Sequence, residues 1–319
     1  MKYGFLYAGQ GAQKVGMGMD LYEKYESYRE LVDSLSFDFD PIKLMKEGPE
    51  EELLRTEYTQ CCMSVFGAGV TGILKEHGIT PSLAMGLSLG EYGALHAAGV
   101  FGAKEYIELT TFRGREMAKA GEGIPCAMSA VMGLNSQVVE ATCRECTSGY
   151  VVLTNYNCPG QYVICGEEAG VKECEERLRE KGAKRTVRLK VSGPFHTKYM
   201  AKAGEALERY FEEMVFEVPK IPVILNYTGD FYDGSESLQS LLVKQVQNGI
   251  RIEDSLKKAL TADIDLFVEI GPGTTLAGFL KKCAKELGKE VQVISITGAE
   301  DLEKLFELKE AADRSGNDE

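Results

Sequence analysis

The sequence has no tryptophan, only three histidines and few basic residues for its size. Its 36 lysines and arginines face 49 aspartates and glutamates, which gives a formal net charge of -13. Nucleic-acid binding needs a strongly basic surface, so this balance argues against that class of function. It also means that an anionic substrate would have to be held by a local cation.

Long apolar segments are also missing. No stretch approaches the ~20 residues that span a bilayer, and the start, "MKYGFLYAGQGAQ", reaches glycines too early for the apolar part of a secretory signal. The nine cysteines are therefore expected to be reduced thiols of a cytoplasmic protein. Cys143 and Cys146 form C-x-x-C, but no second pair or nearby histidine would complete a metal site, so we expect no metal.

The pattern of the 319 residues changes near residue 126 and again near residue 193. Between these points it predicts strand, helix, two strands around a Pro-Gly turn, a charged helix and an alternating strand. This βαββαβ order is that of a ferredoxin-like unit. We interpret residues 126–193 as a small α+β subdomain inserted into a hydrolase-like α/β domain with a parallel sheet, formed by residues 1–125 and 194–319.

Three stretches of the large domain carry clear periodicity. "DLYEKYESYRELVDSLS" (20–36) spaces its apolar residues by three and four, which predicts one amphipathic helix. "IPVILNYTG" (221–229) and "IDLFVEIGPG" (264–273) are apolar runs that end in glycine and predict strands.

The stretch "GLSLG" (86–90) fits G-x-S-x-G, the pattern of a nucleophile turn between a strand and a helix. "ITPSLAMG" before it predicts a strand and "GEYGALHAAGV" after it predicts a helix. Because the context is the one that this motif requires, Ser88 is a candidate nucleophile.

A serine hydroxyl needs a base, and histidine suits this task near neutral pH. His77 ends a helix, where a cation favours the C-terminus, and His96 lies about two helical turns beyond Ser88, too far to reach its hydroxyl. His196 lies in "VSGPFHTKYM", a loop at the junction of the two units. His196 is therefore the best placed base.

Acyl transfer also requires donors for an oxyanion. The backbone N–H of Leu89 begins the helix after the serine, and that of Gln10 lies in "GQGAQ", a glycine-flanked turn after the first strand. A phosphate loop is the weaker interpretation of this turn, since neither G-x-G-x-x-G nor Gly-Lys-Ser follows.

Seven segments in order resemble those of malonyl-CoA:acyl-carrier-protein transacylases and the related acyltransferase domains of polyketide synthases. The resemblance runs from about residue 3 to residue 285. The segments are "AGQGAQKVGMGMDL", "GLSLGEYGALHAAG", "FRGREM", "NCPGQYVICG", "VSGPFH", "LVKQ" and "EIGPGTTLAGFLKK".

The resemblance implies a role for each matching position. Ser88 would be the acylated nucleophile and His196 its base, with the amides of Gln10 and Leu89 as oxyanion hole. Gln245 of "LVKQ" would orient the histidine through its backbone carbonyl, in place of a carboxylate. The resemblance also implies four substrate-binding residues: Arg113, Met117, Asn157 and Phe195. For Asn157, formation of the Pro-Gly turn is the alternative role.

Arg113 has an independent physical argument, because a guanidinium pairs with a carboxylate through two hydrogen bonds, which lysine cannot do as well. It would explain how an acidic protein holds a malonyl group. Leu87 is a departure, since the family usually has histidine at this position of the motif. That difference leaves the Ser88–His196 pair intact and puts in doubt any polar contact beside the serine.

The resemblance implies a two-step transfer from malonyl-CoA to the phosphopantetheine thiol of an acyl carrier protein, with no cofactor. Carrier proteins are acidic, so we expect a basic dock, with Arg185, Arg188 and Lys190 as candidates beside Lys181 and Lys184; a solvated strand face is the alternative. Other functions remain open: a polyketide acyltransferase acting in trans, an acyl hydrolase or thioesterase on the same fold, and a non-catalytic carrier-binding scaffold.

Overall fold

The computed structural model describes residues 1–190 and 193–315. Its ten strands fall into two four-stranded sheets and one short hairpin. The strands are β1 Tyr3–Tyr7, β2 Pro81–Gly86, β3 Cys126–Met132, β4 Val151–Cys158, β5 Gln161–Glu167, β6 Arg185–Arg188, β7 Ile224–Leu225, β8 Asp230–Phe231, β9 Leu266–Ile270 and β10 Val293–Ile296.

Helices cover both sheets. They are α1 Met19–Lys24, α2 Glu26–Asp33, α3 Pro41–Glu47, α4 Glu50–Leu53, α5 Thr56–Glu76, α6 Leu89–Ala97, α7 Ala103–Gly121, α8 Ser136–Glu145, α9 Glu168–Glu180, α10 Ala201–Glu212, α11 Leu238–Gln247, α12 Ile252–Ala259, α13 Thr275–Glu286 and α14 Ala299–Ser315. A short 3-10 turn, Lys198–Met200, precedes α10.

The first sheet is parallel, in the order β10-β9-β1-β2. Its central strands β1 and β9 are buried along their whole length, as expected for strands covered by helices on both faces. The carboxyl ends of β1 and β2 lie side by side, with Tyr7 paired to Gly86. This places the turns that carry Gln10 and Ser88 at the same edge of the sheet, where α/β folds bind their ligands.

The second sheet is antiparallel, in the order β4-β5-β3-β6, with α8 and α9 packed on it. Strand order and element order are those of a ferredoxin-like unit, so the expected fold class is confirmed. The division into domains at residues 125/126 and 193/194 stays a prediction, and its residues 191–192 and 316–319 lie outside the described part of the chain.

Two predictions of elements were wrong in detail. The helix expected over residues 20–36 is broken at Tyr25, whose φ of -107° and ψ of 119° are those of extended backbone. The Arg29 guanidinium compensates for the break, because it donates to the carbonyls of Tyr22 and Glu23 at the end of α1.

The strand expected over residues 221–229 is also much shorter. Val223 makes one parallel bridge to Ala84, beyond the edge strand β2, and only Ile224–Leu225 then form a strand, in a hairpin with β8. Gly229 closes this hairpin with a positive φ of 70°, and its N–H donates to the Leu225 carbonyl. The chain thereby turns Asn226 toward the end of β2.

Candidate active site

Ser88 lies in a strained turn between β2 and α6. Its φ of 51° and ψ of -101° are unusual for a residue with a side chain, and such backbone strain costs about 1–3 kcal/mol. The flanking glycines allow the turn, because a Cβ on Gly86 would lie 2.1 Å from the Gly90 carbonyl and a Cβ on Gly90 would lie 2.1 Å from the Tyr7 carbonyl. The motif therefore requires glycine at these two positions, because the backbone of neighbouring segments approaches too closely for a side chain.

The imidazole of His196 lies directly on this serine. Its Nε2 is 2.7 Å from Ser88 Oγ, and its Nδ1 is 2.8 Å from the backbone carbonyl of Gln245. The carbonyl can only accept, so it fixes the tautomer with the proton on Nδ1 and leaves Nε2 free to accept the serine proton. Burial, reinforced by the charge of Arg113, lowers the pKa of His196 to about 4, which keeps the imidazole neutral.

The guanidinium of Arg113, from α7, is only 1% exposed and reaches the same hydroxyl. One terminal nitrogen donates to Gln60 Oε1 at 2.8 Å, and the other donates to Gln245 Oε1 at 3.0 Å and to Ser88 Oγ at 3.2 Å. The ring of Tyr92 lies 5.2 Å from the guanidinium carbon. Within the described residues Arg113 has no ion pair, and its Nε has no partner. Burial lowers its pKa, while the nearby Tyr92 and Glu91 side chains act in the opposite direction. Arg113 is thus a buried guanidinium with no ion pair among the described residues.

Gln245 thus acts through both its main chain and its side chain. Besides holding His196 and Arg113, its Nε2 donates to the carbonyl of Ser88 at 2.9 Å. The sequence predicted the backbone role of Gln245, and the structure adds the side-chain bridge between Arg113 and the nucleophile.

Two backbone amides beside Ser88 are available to an oxyanion. Gln10 and Leu89 both line the pocket that contains Ser88 Oγ, and neither N–H donates to an acceptor within residues 1–190 and 193–315. The Leu89 amide is the first of α6, where the helix dipole favours negative charge. The side chain of Gln10 is anchored on Thr56 Oγ1 at 2.8 Å, which holds its turn in place.

The pocket itself is a cavity of about 100 Å³ with mostly apolar walls. Met117 and Phe195 line it, as the resemblance implied. Leu87, which departs from the family pattern, also lines it and contributes an apolar wall beside the serine. The strand before the Pro-Gly turn contributes Asn155 to the lining. Asn157 is buried outside the lining, and its Oδ1 has no hydrogen-bond partner among the described residues. The substrate-binding role of Asn157 stays a prediction.

Sequence reasoning missed three polar residues at the site. Gln60 accepts from Arg113, Asn226 accepts from the Ser88 N–H, and Glu91 accepts from the Asn226 N–H. All three are polar residues inside apolar runs, in "TQCCMSVF", "VILNYTG" and "GEYGAL". Buried polar groups need hydrogen-bond partners, so a single polar residue within an apolar run was the sequence signal that could have identified these three residues.

Two of the five residues of the candidate basic dock, Arg188 and Lys181, are paired with acidic groups of the protein itself. Arg188 binds Glu168 and Glu175, and Lys181 binds Glu145. Lys184 lays its side chain against Gly133. Among the described residues Arg185 and Lys190 have no ion pair, and Lys190 follows Leu189, which lines the Ser88 pocket and is 37% exposed.

The remaining histidines have local partners. His77 Nδ1 lies 2.9 Å from the Ile73 carbonyl and its ring stacks on Phe306, while His96 Nδ1 lies 3.0 Å from the Phe101 carbonyl. Across the described residues, no group of three acidic, cysteine or histidine side chains is arranged to hold a metal ion. No described helix is long and apolar enough to cross a membrane.

A strained serine on an α/β fold, with a buried histidine and two available amides, defines the class of enzymes that form an acyl-serine intermediate. Residues 4–316 match the acyl transferase domain family. The malonyl CoA-acyl carrier protein transacylase of Bacillus subtilis is 35% identical over 98% of this chain and 99% of its own length. The protein belongs to the acyl transferase domain family.

Solved structures are also similar over nearly the whole chain. The malonyl CoA-acyl carrier protein transacylase of Clostridium perfringens superposes with a TM-score of 0.91 at 33% identity, over 99% of this chain and 100% of that one. A malonyl-transacylase crystallised in complex with a type II polyketide acyl-carrier protein gives a TM-score of 0.90 at 30% identity, over 96% and 99% of the two chains.

Proposed function

We propose that this enzyme transfers the malonyl group of malonyl-CoA to the phosphopantetheine thiol of an acyl carrier protein, supplying extender units for fatty-acid synthesis. The observation that carries the proposal is Arg113, a buried guanidinium that has no ion pair among the described residues and donates to Ser88 Oγ. Burying such a charge is costly unless a partner arrives, and a free carboxylate on the acyl group is that partner. The names of the relatives support the same substrates.

In the first half-reaction Ser88 Oγ attacks the thioester carbonyl while His196 Nε2 takes its proton. The carbonyl oxygen becomes an oxyanion held by the amides of Gln10 and Leu89. The C–S bond then breaks, the imidazolium returns its proton to the departing sulfur, and coenzyme A leaves. Ser88 carries the malonyl ester, with its carboxylate on Arg113.

In the second half-reaction the carrier thiol attacks this ester, and His196 accepts the thiol proton. The same amides hold the second oxyanion, the C–O bond breaks, and the proton returns to Ser88 Oγ. Each proton and each developing charge has a group of this chain assigned to it, so we propose that no cofactor is required. Nine free thiols support a cytoplasmic location.

Transfer rather than hydrolysis is supported by the walls of the pocket. Leu87, Met117 and Phe195 leave little room beside the ester and offer no hydrogen-bond partner to a water. Met117 and Phe195 line the same small pocket, and we propose that they favour malonyl over branched analogues.

We place the carrier dock at the mouth of this pocket, around Leu189 and Lys190. Leu189 offers an exposed apolar contact, and Lys190 a cation with no ion pair in the part of the chain that the structure describes. Arg188 is a weaker candidate than the sequence suggested, because two carboxylates of the protein already neutralise it.

The proposal is tested by intact-mass spectrometry after mixing with malonyl-CoA. The wild type should gain one malonyl group, and Ser88→Ala should gain none. Ser129→Ala removes another buried serine hydroxyl and is the matched control, expected to load like the wild type. A wild type that gains no malonyl group would refute the proposal, and an adduct that persists in Ser88→Ala would refute the role of this serine.

A further inference from the structure

The strained turn at Ser88 must be held by its surroundings, because a residue in such a conformation relaxes unless neighbouring contacts fix it. His196 and Arg113 approach Ser88 from the side of its hydroxyl. The opposite side of the turn, made of backbone groups, needs a separate set of contacts.

Besides the bond from Gln245 to the Ser88 carbonyl, Asn226 supplies two of those contacts with one side chain. Its Nδ2 donates to the Gly86 carbonyl at 2.7 Å, and its Oδ1 accepts from the Ser88 N–H at 2.6 Å. The amide therefore bridges the residues on both sides of Leu87. A carboxamide suits this position because it offers a donor and an acceptor at once, whereas a carboxylate offers only acceptors.

Asn226 is itself fixed at both of its backbone polar groups. Its N–H donates to Glu91 Oε2 at 2.6 Å, and its carbonyl accepts from the Arg251 N–H at 2.8 Å. Both Asn226 and Glu91 are fully buried, with exposed fractions of 0% and 1%. The bridge cannot shift without breaking one of these bonds.

Glu91 closes a loop of contacts, because it lies in the first turn of α6, the helix that Ser88 begins. The loop runs from Ser88 through α6 to Glu91, across to Asn226, and back to Ser88 and Gly86. Burial raises the pKa of Glu91 to about 8, so near neutral pH it is mainly an uncharged acid that accepts a hydrogen bond. An ionised Glu91 would instead compete with a substrate carboxylate for the charge of Arg113.

We propose that Asn226 and Glu91 are positioning residues that hold Ser88 Oγ in line with His196 Nε2, with Glu91 acting as a hydrogen-bond acceptor for the Asn226 N–H. The inference rests on the proposed acyl transfer at Ser88. It concerns the geometry of the nucleophile and not the identity of the acyl donor.

The test compares Asn226→Asp, Glu91→Gln and Glu91→Leu in single-turnover loading from malonyl-CoA. Asn226→Asp keeps the shape and loses the donor to Gly86; we expect its loading rate constant to fall about 100-fold with KM little changed, the size expected for a nucleophile displaced by about 1 Å. Glu91→Gln keeps an acceptor and should stay within about threefold of the wild type, whereas Glu91→Leu should fall like Asn226→Asp.

Glu269→Gln is the matched control, since Glu269 is also a buried carboxyl that accepts from two backbone amides, those of Leu276 and Ala277, away from the Ser88 pocket. Its melting temperature measures what a buried Glu→Gln change costs in stability alone. Loss of loading in proportion to loss of melting temperature, across all variants, would overturn the positioning role. Wild-type rates in both Asn226→Asp and Glu91→Leu would also overturn it.

A second probe separates this inference from the proposed function. A small fluorophosphonate labels an activated serine without any malonyl recognition, so its labelling rate reports the Ser88–His196 geometry directly. Slower labelling of Asn226→Asp and Glu91→Leu than of the wild type supports positioning even if malonyl-CoA proves the wrong donor. If Asn226→Asp fails to fold, the Glu91→Gln and Glu91→Leu pair decides: equal losses in both refute the role of Glu91 as a hydrogen-bond acceptor.

Discussion

Replacing Arg113 should change which acyl group the enzyme accepts more than how fast it reacts. In the unliganded site its terminal nitrogens are fixed by Gln60 and Gln245 at 2.8 Å and 3.0 Å, so the guanidinium is in place before substrate arrives. Hydrogen bonds to charged groups are worth about 1.5–3 kcal/mol each, and two of them give about 3–6 kcal/mol. Arg113→Ala should therefore lower kcat/KM for malonyl-CoA by roughly 10² to 10⁴-fold.

Acetyl-CoA has no carboxylate, so it loses only the packing and the bond to Ser88 Oγ; we expect about a tenfold loss. The ratio of the two kcat/KM values is the informative quantity, because the cavity left by the smaller side chain affects both substrates. Arg113→Lys keeps the charge without the planar fork and should give an intermediate ratio.

The assay is rapid-quench loading followed by intact-mass spectrometry with each thioester. Arg115→Ala is the matched control, since Arg115 lies two residues further along α7, is 39% exposed and pairs with Asp38. The control should leave the ratio unchanged. Equal losses for malonyl-CoA and acetyl-CoA in Arg113→Ala would refute the carboxylate-binding role.

Further predictions concern pH and the carrier dock. Since His196 must be neutral to accept a proton and its pKa is lowered to about 4, the acylation rate should be constant between about pH 5.5 and pH 7 and fall as the pH drops through 4; a midpoint near 6.5 in stopped-flow loading would contradict this. Lys190→Glu should raise KM for the carrier and spare that for malonyl-CoA. Arg188→Glu places a third carboxylate beside Glu168 and Glu175, so it should lower the melting temperature; an unchanged melting temperature would show that this ion-pair cluster does not stabilise the fold.

Local patterns in the sequence were sufficient to predict the strand, turn and helix around Ser88. The G-x-S-x-G turn between a strand and a helix was read correctly because sterics within five residues determine it: the glycines that flank Ser88 have no room for a side chain. The βαββαβ unit was equally readable, since each element has its own periodicity. The helix over residues 20–36 failed at Tyr25 because an arginine side chain, rather than the helix backbone, satisfies the carbonyls there.

Contacts between residues far apart in the sequence explain the features that local patterns did not predict. The strand expected around Asn226 is cut short because its side chain is needed at a turn 138 residues earlier in the chain. The Arg188 dock was weakened for the same kind of reason, since its partners Glu168 and Glu175 belong to a different element, α9.

By itself the sequence predicted a candidate nucleophile and its candidate base and determined the acidic composition of the chain, because these depend on residue identity and local steric rules. Only the tertiary structure decided that Arg113 has no ion pair among the described residues, that Gln245 joins it to Ser88, and that Asn226 is bonded to both Ser88 and Glu91. Charge balance and hydrogen-bond satisfaction are properties of groups brought together from distant parts of the chain, so they exist only once the chain has folded.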